Sequence, residues 1–240
     1  MLGAPSGDIS ALASESGGKE GRRRLLDQYL LRSLCAEPTA DELHLSRASS
    51  LLAQLTDNNC RGSIQPAVYR DYVRLVCKSG GGEDVSRAIS MLETACADRS
   101  LMESIGAGPW NRILDTLATN TSTREDIPRV VALFQTMRGL NVSVDEWTYQ
   151  TMVSFMHRMG EFKEALGIWH SRPASVKATF ETHRCVILSC LNVNESAAQV
   201  EQLLLDAIST PLGIRRTLSL LNEMISLGFL VLRKFFCAVL

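Results

Sequence analysis

The sequence predicts an all-α chain, a right-handed solenoid of helix-turn-helix hairpins. Three observations point there. Apolar residues recur at spacings of three and four along nearly the whole length, no alternating run is long enough for a strand, and similar segments return at a fixed interval. The hydrophobic fraction of 45% and charged fraction of 21% supply a core and carry no disorder signature.

Residues 1–21 are Gly, Ser and Ala rich without apolar periodicity and are expected to form a flexible arm, with the helical array over 22–240. The period begins at Leu25, Leu26, Tyr29, Leu30 and Leu34. It continues through Leu51, Leu52 and Leu55, then Tyr69, Tyr72, Val73 and Val76, then Ile89, Met91 and Leu92. Short breakers separate these stretches: Glu37-Pro38, Gly80-Gly81-Gly82, Gly106-Ala107-Gly108-Pro109, Arg172-Pro173 and Thr210-Pro211. One hairpin is legible in full. Asp145 to Val153 opens a helix, Arg158-Met159-Gly160-Glu161-Phe162 turns the chain, and Lys163 to Trp169 runs back. Met152, Ala165, Leu166 and Trp169 are its expected core.

Several classes are excluded by composition. A net charge of −1 and a pI near 6.4 argue against a general positive field holding nucleic acid, so any grip on RNA must be local. Seven scattered cysteines, with no C-x-x-C pair and no secretory signal, point to a reducing compartment. Three Asn-x-Ser sequences, at Asn120, Asn141 and Asn194, are then chance matches to a glycosylation pattern. The longest apolar stretch, 227–232, is far short of the roughly 20 residues that span a bilayer. His44, His157, His170 and His183 have no metal-binding spacing, and Cys185 and Cys190, five apart, are expected to be core fillers. The glycine run at 80–82 lacks the Lys-Ser/Thr of a phosphate loop, and no nucleophile elbow or zinc-protease motif is present. The chain therefore reads as a non-enzyme without cofactor, metal or small-molecule substrate.

The Thr148-Tyr149 start, the turn at Gly160, the Ala165-Leu166 return and the run Val131-Ala132-Leu133-Phe134-Gln135-Thr136-Met137 to Asp145 together resemble the pentatricopeptide repeat family. Tyr69 to Val73 and the Cys77-Lys78-Ser79-Gly80 that follows supply another first half. The slot before the family's Tyr falls at Val68, Pro109, Thr148, Thr182 and Thr217. The last two steps are 34 and 35 residues, and the longer steps of 41 and 39 imply insertions near 80–82 and 120–126. The resemblance runs from about Leu45 to the end and is densest over 109–187. Trp110, His183 and Leu218 depart from the family's Tyr, and Val144 stands where its Pro would be. Tetratricopeptide repeats share the hairpin and a similar period, which keeps a protein-protein adaptor with a peptide groove in view.

The resemblance implies that the first helix of each hairpin faces RNA. Arg70, Arg74 and Lys78, four apart, share one such face, although the same spacing describes an ordinary solvated helix side. The family's base-reading positions fall at Arg70, Asn111, Gln150, Arg184 and Ser219, and only Asn111 with Asp145 matches a known pair, one for uridine. Of the aromatics, Trp147 is the candidate for stacking on a base. The resemblance also implies a mitochondrial location and RNA and protein partners, as a structural subunit or assembly factor of the mitochondrial ribosome or a similar ribonucleoprotein. The apolar run 229–240 lacks the polar face of a capping repeat. It is expected to dock on another subunit through Phe229, Phe235 and Phe236, or to continue into further repeats past Leu240.

Overall fold

Short polar side chains at helix starts and left-handed residues at helix ends cut this chain into hairpins. The computed structural model describes residues 19–36, 42–57, 64–79, 82–210 and 213–226. Among the described residues there are twelve α-helices, one short 3-10 turn and no strand. In chain order they are α1 (Lys19–Ala36), α2 (Glu42–Asp57), α3 (Pro66–Ser79), α4 (Gly82–Ala95), α5 (Arg99–Ile105), α6 (Gly108–Asn120), α7 (Ile127–Gly139), α8 (Glu146–Arg158), α9 (Phe162–His170), α10 (Phe180–Asn192), α11 (Ala197–Ile208) and α12 (Gly213–Ser226). The all-α class holds, and no helix of the described residues is long and apolar enough to cross a membrane.

The helix starts follow from local chemistry. Asp98, Asp145, Thr179 and Ser196 sit just ahead of α5, α8, α10 and α11, and each side chain accepts a hydrogen bond from a first-turn backbone N–H. Pro66 opens α3 and Pro128 stands in the first turn of α7, where the missing N–H costs nothing.

The ends repeat a motif. After α7, α8 and α10 the chain turns through Asn141 (φ 55°), Gly160 (φ 78°) and Asn194 (φ 58°). The next N–H in each case reaches back to the last turn: Val142 to the Met137 carbonyl, Glu161 to Met156 and Glu195 to Cys190. This satisfies carbonyls that would otherwise be orphaned. Asn141 and Asn194, which match a glycosylation pattern, thus serve as left-handed helix stops.

The chain divides into two units, residues 1–113 and 114–240. In the first, α1 packs on α2 and α3, α2 on α3, and α3 on α4 and α5. In the second, α8 packs on α9 and α10, α9 on α10, α10 on α11 and α12, and α11 on α12. Within each unit the main partners of a helix are therefore the helices one and two along the chain. The slots Val68, Pro109, Thr148, Thr182 and Thr217 are all buried. So are the following Tyr69, Trp110, Tyr149 and His183, whereas Leu218 is exposed.

The extra length between Val68 and Pro109 is not at the glycines, since α4 begins at Gly82. It is α5, a helix of seven residues that Asp98 nucleates. The second insertion coincides with the 3-10 turn Arg124–Asp126. Met152, Ala165 and Leu166 are buried as expected. Trp169 is a correction: it is only partly buried, lying on the rim of the core formed by Val153, Leu166, Phe180, Val186 and Leu204. Its ring packs edge-to-face with His183, the centroids 5.3 Å apart, and the Arg172 guanidinium lies 4.5 Å from its centroid. It is the last residue but one of α9, at the end of that helix. Cys185 and Cys190 are buried, as core fillers should be. Residues 1–18 of the expected arm, and Phe229, Phe235 and Phe236, lie outside the described residues.

Candidate functional site

In the second unit, α6, α8 and α10 enclose a cleft of about 500 Å³. Its α8 wall is set by a four-residue rhythm of Gln150, Ser154 and Arg158, which projects one side chain per turn to one face. Trp147 stands one turn earlier and is 52% exposed. Asp115 and Thr119 of α6, Thr151 and His157 of α8, and Glu181 and Arg184 of α10 add further polar groups to the lining.

Most of these groups are already engaged. Arg184 donates from Nη1 to Glu181 at 2.8 Å, and from Nε and Nη2 to the Glu223 carboxylate at 2.9 and 2.5 Å, which ties α10 to α12. The fork geometry matches both carboxylate oxygens. It also holds Glu223 below the usual carboxylate range, because the Arg184 hydrogen bond favours the charged form. Gln150 accepts a 2.7 Å hydrogen bond at Oε1 from the Thr179 hydroxyl. The Arg158 guanidinium donates to the Ala118 carbonyl while lying 5.8 Å from the Phe155 centroid.

His157 also lines the cleft, and its Nδ1 is 2.9 Å from the Ser189 hydroxyl. Burial, then the charge of Arg184, lowers its pKa, so the neutral ring is favoured. Cys185 also lines the cleft, and burial pushes its thiol pKa up, away from the nucleophilic thiolate. The cleft offers a mixed-charge surface with an exposed indole at one end, a chemistry suited to holding a ligand.

The positions expected to contact RNA separate into three groups. Gln150 and Arg184 come together in the cleft. Arg70, Arg74 and Lys78 all project from the exposed side of α3, as their spacing requires. Asp71, however, lies beside Arg74 at 3.2 Å and also receives Arg32 of α1 at 3.1 Å, so part of that positive charge is neutralised. Asn111 and Asp145 serve the fold. Asn111 is only 7% exposed, and Asp145 caps α8, its Oδ1 accepting from the Thr148 backbone N–H and hydroxyl, each at 2.9 Å. The aromatics Tyr149 and Phe155 are buried and Phe162 partly so, which leaves Trp147 as the accessible ring among those considered.

Sequence reasoning missed Arg158, Asp115 and Glu223. Two carried a signal: Arg158 lies two turns beyond Gln150 on the same face, and Glu223 lies one turn beyond Ser219, the repeat counterpart of Arg184. Asp115 carried none. Neither a protein-family model nor any curated protein sequence matches this chain.

Proposed function

We propose that this chain is a pentatricopeptide-like solenoid acting as a structural subunit or assembly factor of an organellar ribonucleoprotein, the mitochondrial ribosome or a particle like it. The packing of helices on their near neighbours within each unit and the common burial of five repeat slots support the solenoid reading. The resemblance supplies the RNA and the organelle.

One observation carries the choice of a docked component over a sequence reader. Four of the positions that would read base edges are engaged in the fold, Arg184 by two carboxylates, Gln150 by Thr179, Asp145 by the start of α8 and Asn111 by burial, whereas Arg70 and Ser219 are exposed. Reading a base needs side-chain donors and acceptors that are free to meet its edge. Contacts through exposed cations such as Arg70 and Lys78 fix position on a phosphate backbone without reading sequence.

The mixed charge of the α6/α8/α10 cleft favours a second reading, a protein adaptor holding an extended peptide. Ultraviolet cross-linking in cells separates the two. Cross-links concentrated on one structured RNA, with no shared short motif, support the ribonucleoprotein component. A shared motif across unrelated transcripts indicates a sequence reader, and absence of RNA cross-links favours the adaptor.

A further inference from the structure

The charges around the α6/α8/α10 cleft do not cancel. Arg184 faces two carboxylates, Glu181 at 2.8 Å and Glu223 at 2.5 Å, so this cluster keeps one negative charge. The Arg184 hydrogen bond holds Glu223 in its charged form. Asp115 adds a second negative charge, being exposed and forming no ion pair among the described residues. The opposing cation, Arg158, is turned toward α6, where its guanidinium donates to the Ala118 carbonyl in the last turn. The open carbonyls of a helix C-terminus carry partial negative charge and take up part of that positive charge. The cleft therefore keeps a negative character that repels a phosphate backbone and attracts a cation.

An aromatic ring stands ready to receive one. Trp147 and Glu181 hold the same repeat position, one residue ahead of the buried slots Thr148 and Thr182, on helices α8 and α10 that pack on each other. Equal positions on neighbouring first helices set the indole and the carboxylate at the same end of the cleft. Phe155, the other aromatic ring of the lining, is buried, whereas Trp147 is 52% exposed. The face of an indole attracts a cation through its quadrupole. Further along the α8 wall, Thr151 and Ser154 add hydroxyls, groups that either donate to or accept from a peptide backbone.

We infer that Trp147 and Glu181 form a subsite for the side-chain cation of an arginine or lysine, carried by an extended segment of a partner protein that lies along α8. The inference rests on the reading of this cleft as a peptide holder, and it gives that peptide its chemistry. The cation lies on the indole and against the Glu181 carboxylate. The surplus negative charge excludes acidic segments and so sets partner choice.

The test uses the full chain and fluorescein-labelled Gly/Ser peptides with one central residue, either Arg or citrulline, which keeps the shape of Arg without its charge. In fluorescence-anisotropy titrations the Arg peptide should bind about tenfold more tightly than the citrulline peptide, and the gap should narrow as salt is raised. With the tryptophans labelled by 15N, the Arg peptide should move the indole N–H resonance that Trp147→Phe removes. Trp147→Ser alters an exposed position and should leave the helical circular dichroism intact while weakening the Arg peptide about tenfold; Glu181→Gln should weaken it severalfold. Equal affinity for the Arg and citrulline peptides would overturn the cation subsite and leave the peptide holder standing. An Arg preference untouched by both Trp147→Ser and Glu181→Gln would overturn the subsite as well. No binding of either peptide would overturn the peptide holder and the subsite together. An oligouridine that outcompetes the peptides and moves the Trp147 resonance would overturn the inference and assign the indole to base stacking.

Discussion

Replacing Glu223 by Gln keeps the shape of the side chain and removes the charge that Arg184 grips across α10 and α12. Two charge-assisted hydrogen bonds, at 2.9 and 2.5 Å, are weakened together. Hydrogen bonds to charged groups contribute about 1.5 to 3 kcal/mol when dry, whereas exposed ion pairs contribute about 0.2 to 1 kcal/mol. Arg184 is 31% exposed and Glu223 33%, between these limits, so a loss of about 1 to 2 kcal/mol is expected. Arg184 retains Glu181, which limits the cost of leaving it behind.

The pH dependence has a definite sign. The folded state depresses the Glu223 pKa, so the contribution is complete above the unfolded carboxylate value of about 4.3 and disappears as pH falls through the lower folded value. Hydrogen–deuterium exchange of the α12 amides in wild type, Glu223→Gln, Arg184→Met and the double variant gives the coupling directly. The coupling should be flat from pH 7 to about pH 5 and vanish in acid below the folded value. A coupling near zero at pH 7, or one that persists unchanged in acid, would refute the assignment of this pair as the tie between α10 and α12.

Other outcomes follow from the same contacts. Met152→Ala, at a fully buried position on α8, should cost about 2 to 5 kcal/mol in urea denaturation of the second unit, and near-wild-type stability would contradict that packing. Asp145→Ala should cost about 1 kcal/mol through loss of the α8 cap, with Asp145→Asn recovering most of it; selective loss of binding at one nucleotide would instead restore Asp145 as a base reader. Reversing Arg70, Arg74 and Lys78 to Glu should weaken RNA association and flatten its dependence on salt, and an unchanged slope would return that face to ordinary solvated surface.

Fold class was legible because helical periodicity survives in almost every segment, and the hairpin at 145–169 was legible because its starts, turn and returning helix all carry local signals. The α5 insertion is hard to locate in the sequence because a glycine run looks like the natural site of added length, whereas Asp98 starts a new helix by one short-range cap. Helical spacing puts Trp169 in the core, but as the last residue but one of the nine-residue α9 it is only partly buried at the rim. The site was less legible than the fold for a related reason. Spacing places Gln150 and Arg184 on first-helix faces, yet whether those side chains are free depends on partners 29 and 39 residues away, Thr179 and Glu223. No local pattern encodes such pairings. Asp145 and Asn111 show the same limit, since residue types that read bases also cap helices and fill polar cores.

If this chain works inside a particle built on RNA, its sedimentation depends on that RNA. Density-gradient sedimentation of the tagged, full-length protein from cells, with and without ribonuclease, tests it most directly. The protein should sediment in a heavy fraction with ribosomal or other ribonucleoprotein markers, and ribonuclease should shift it together with those markers to lighter fractions. Sedimentation as a free monomer with or without ribonuclease would contradict this.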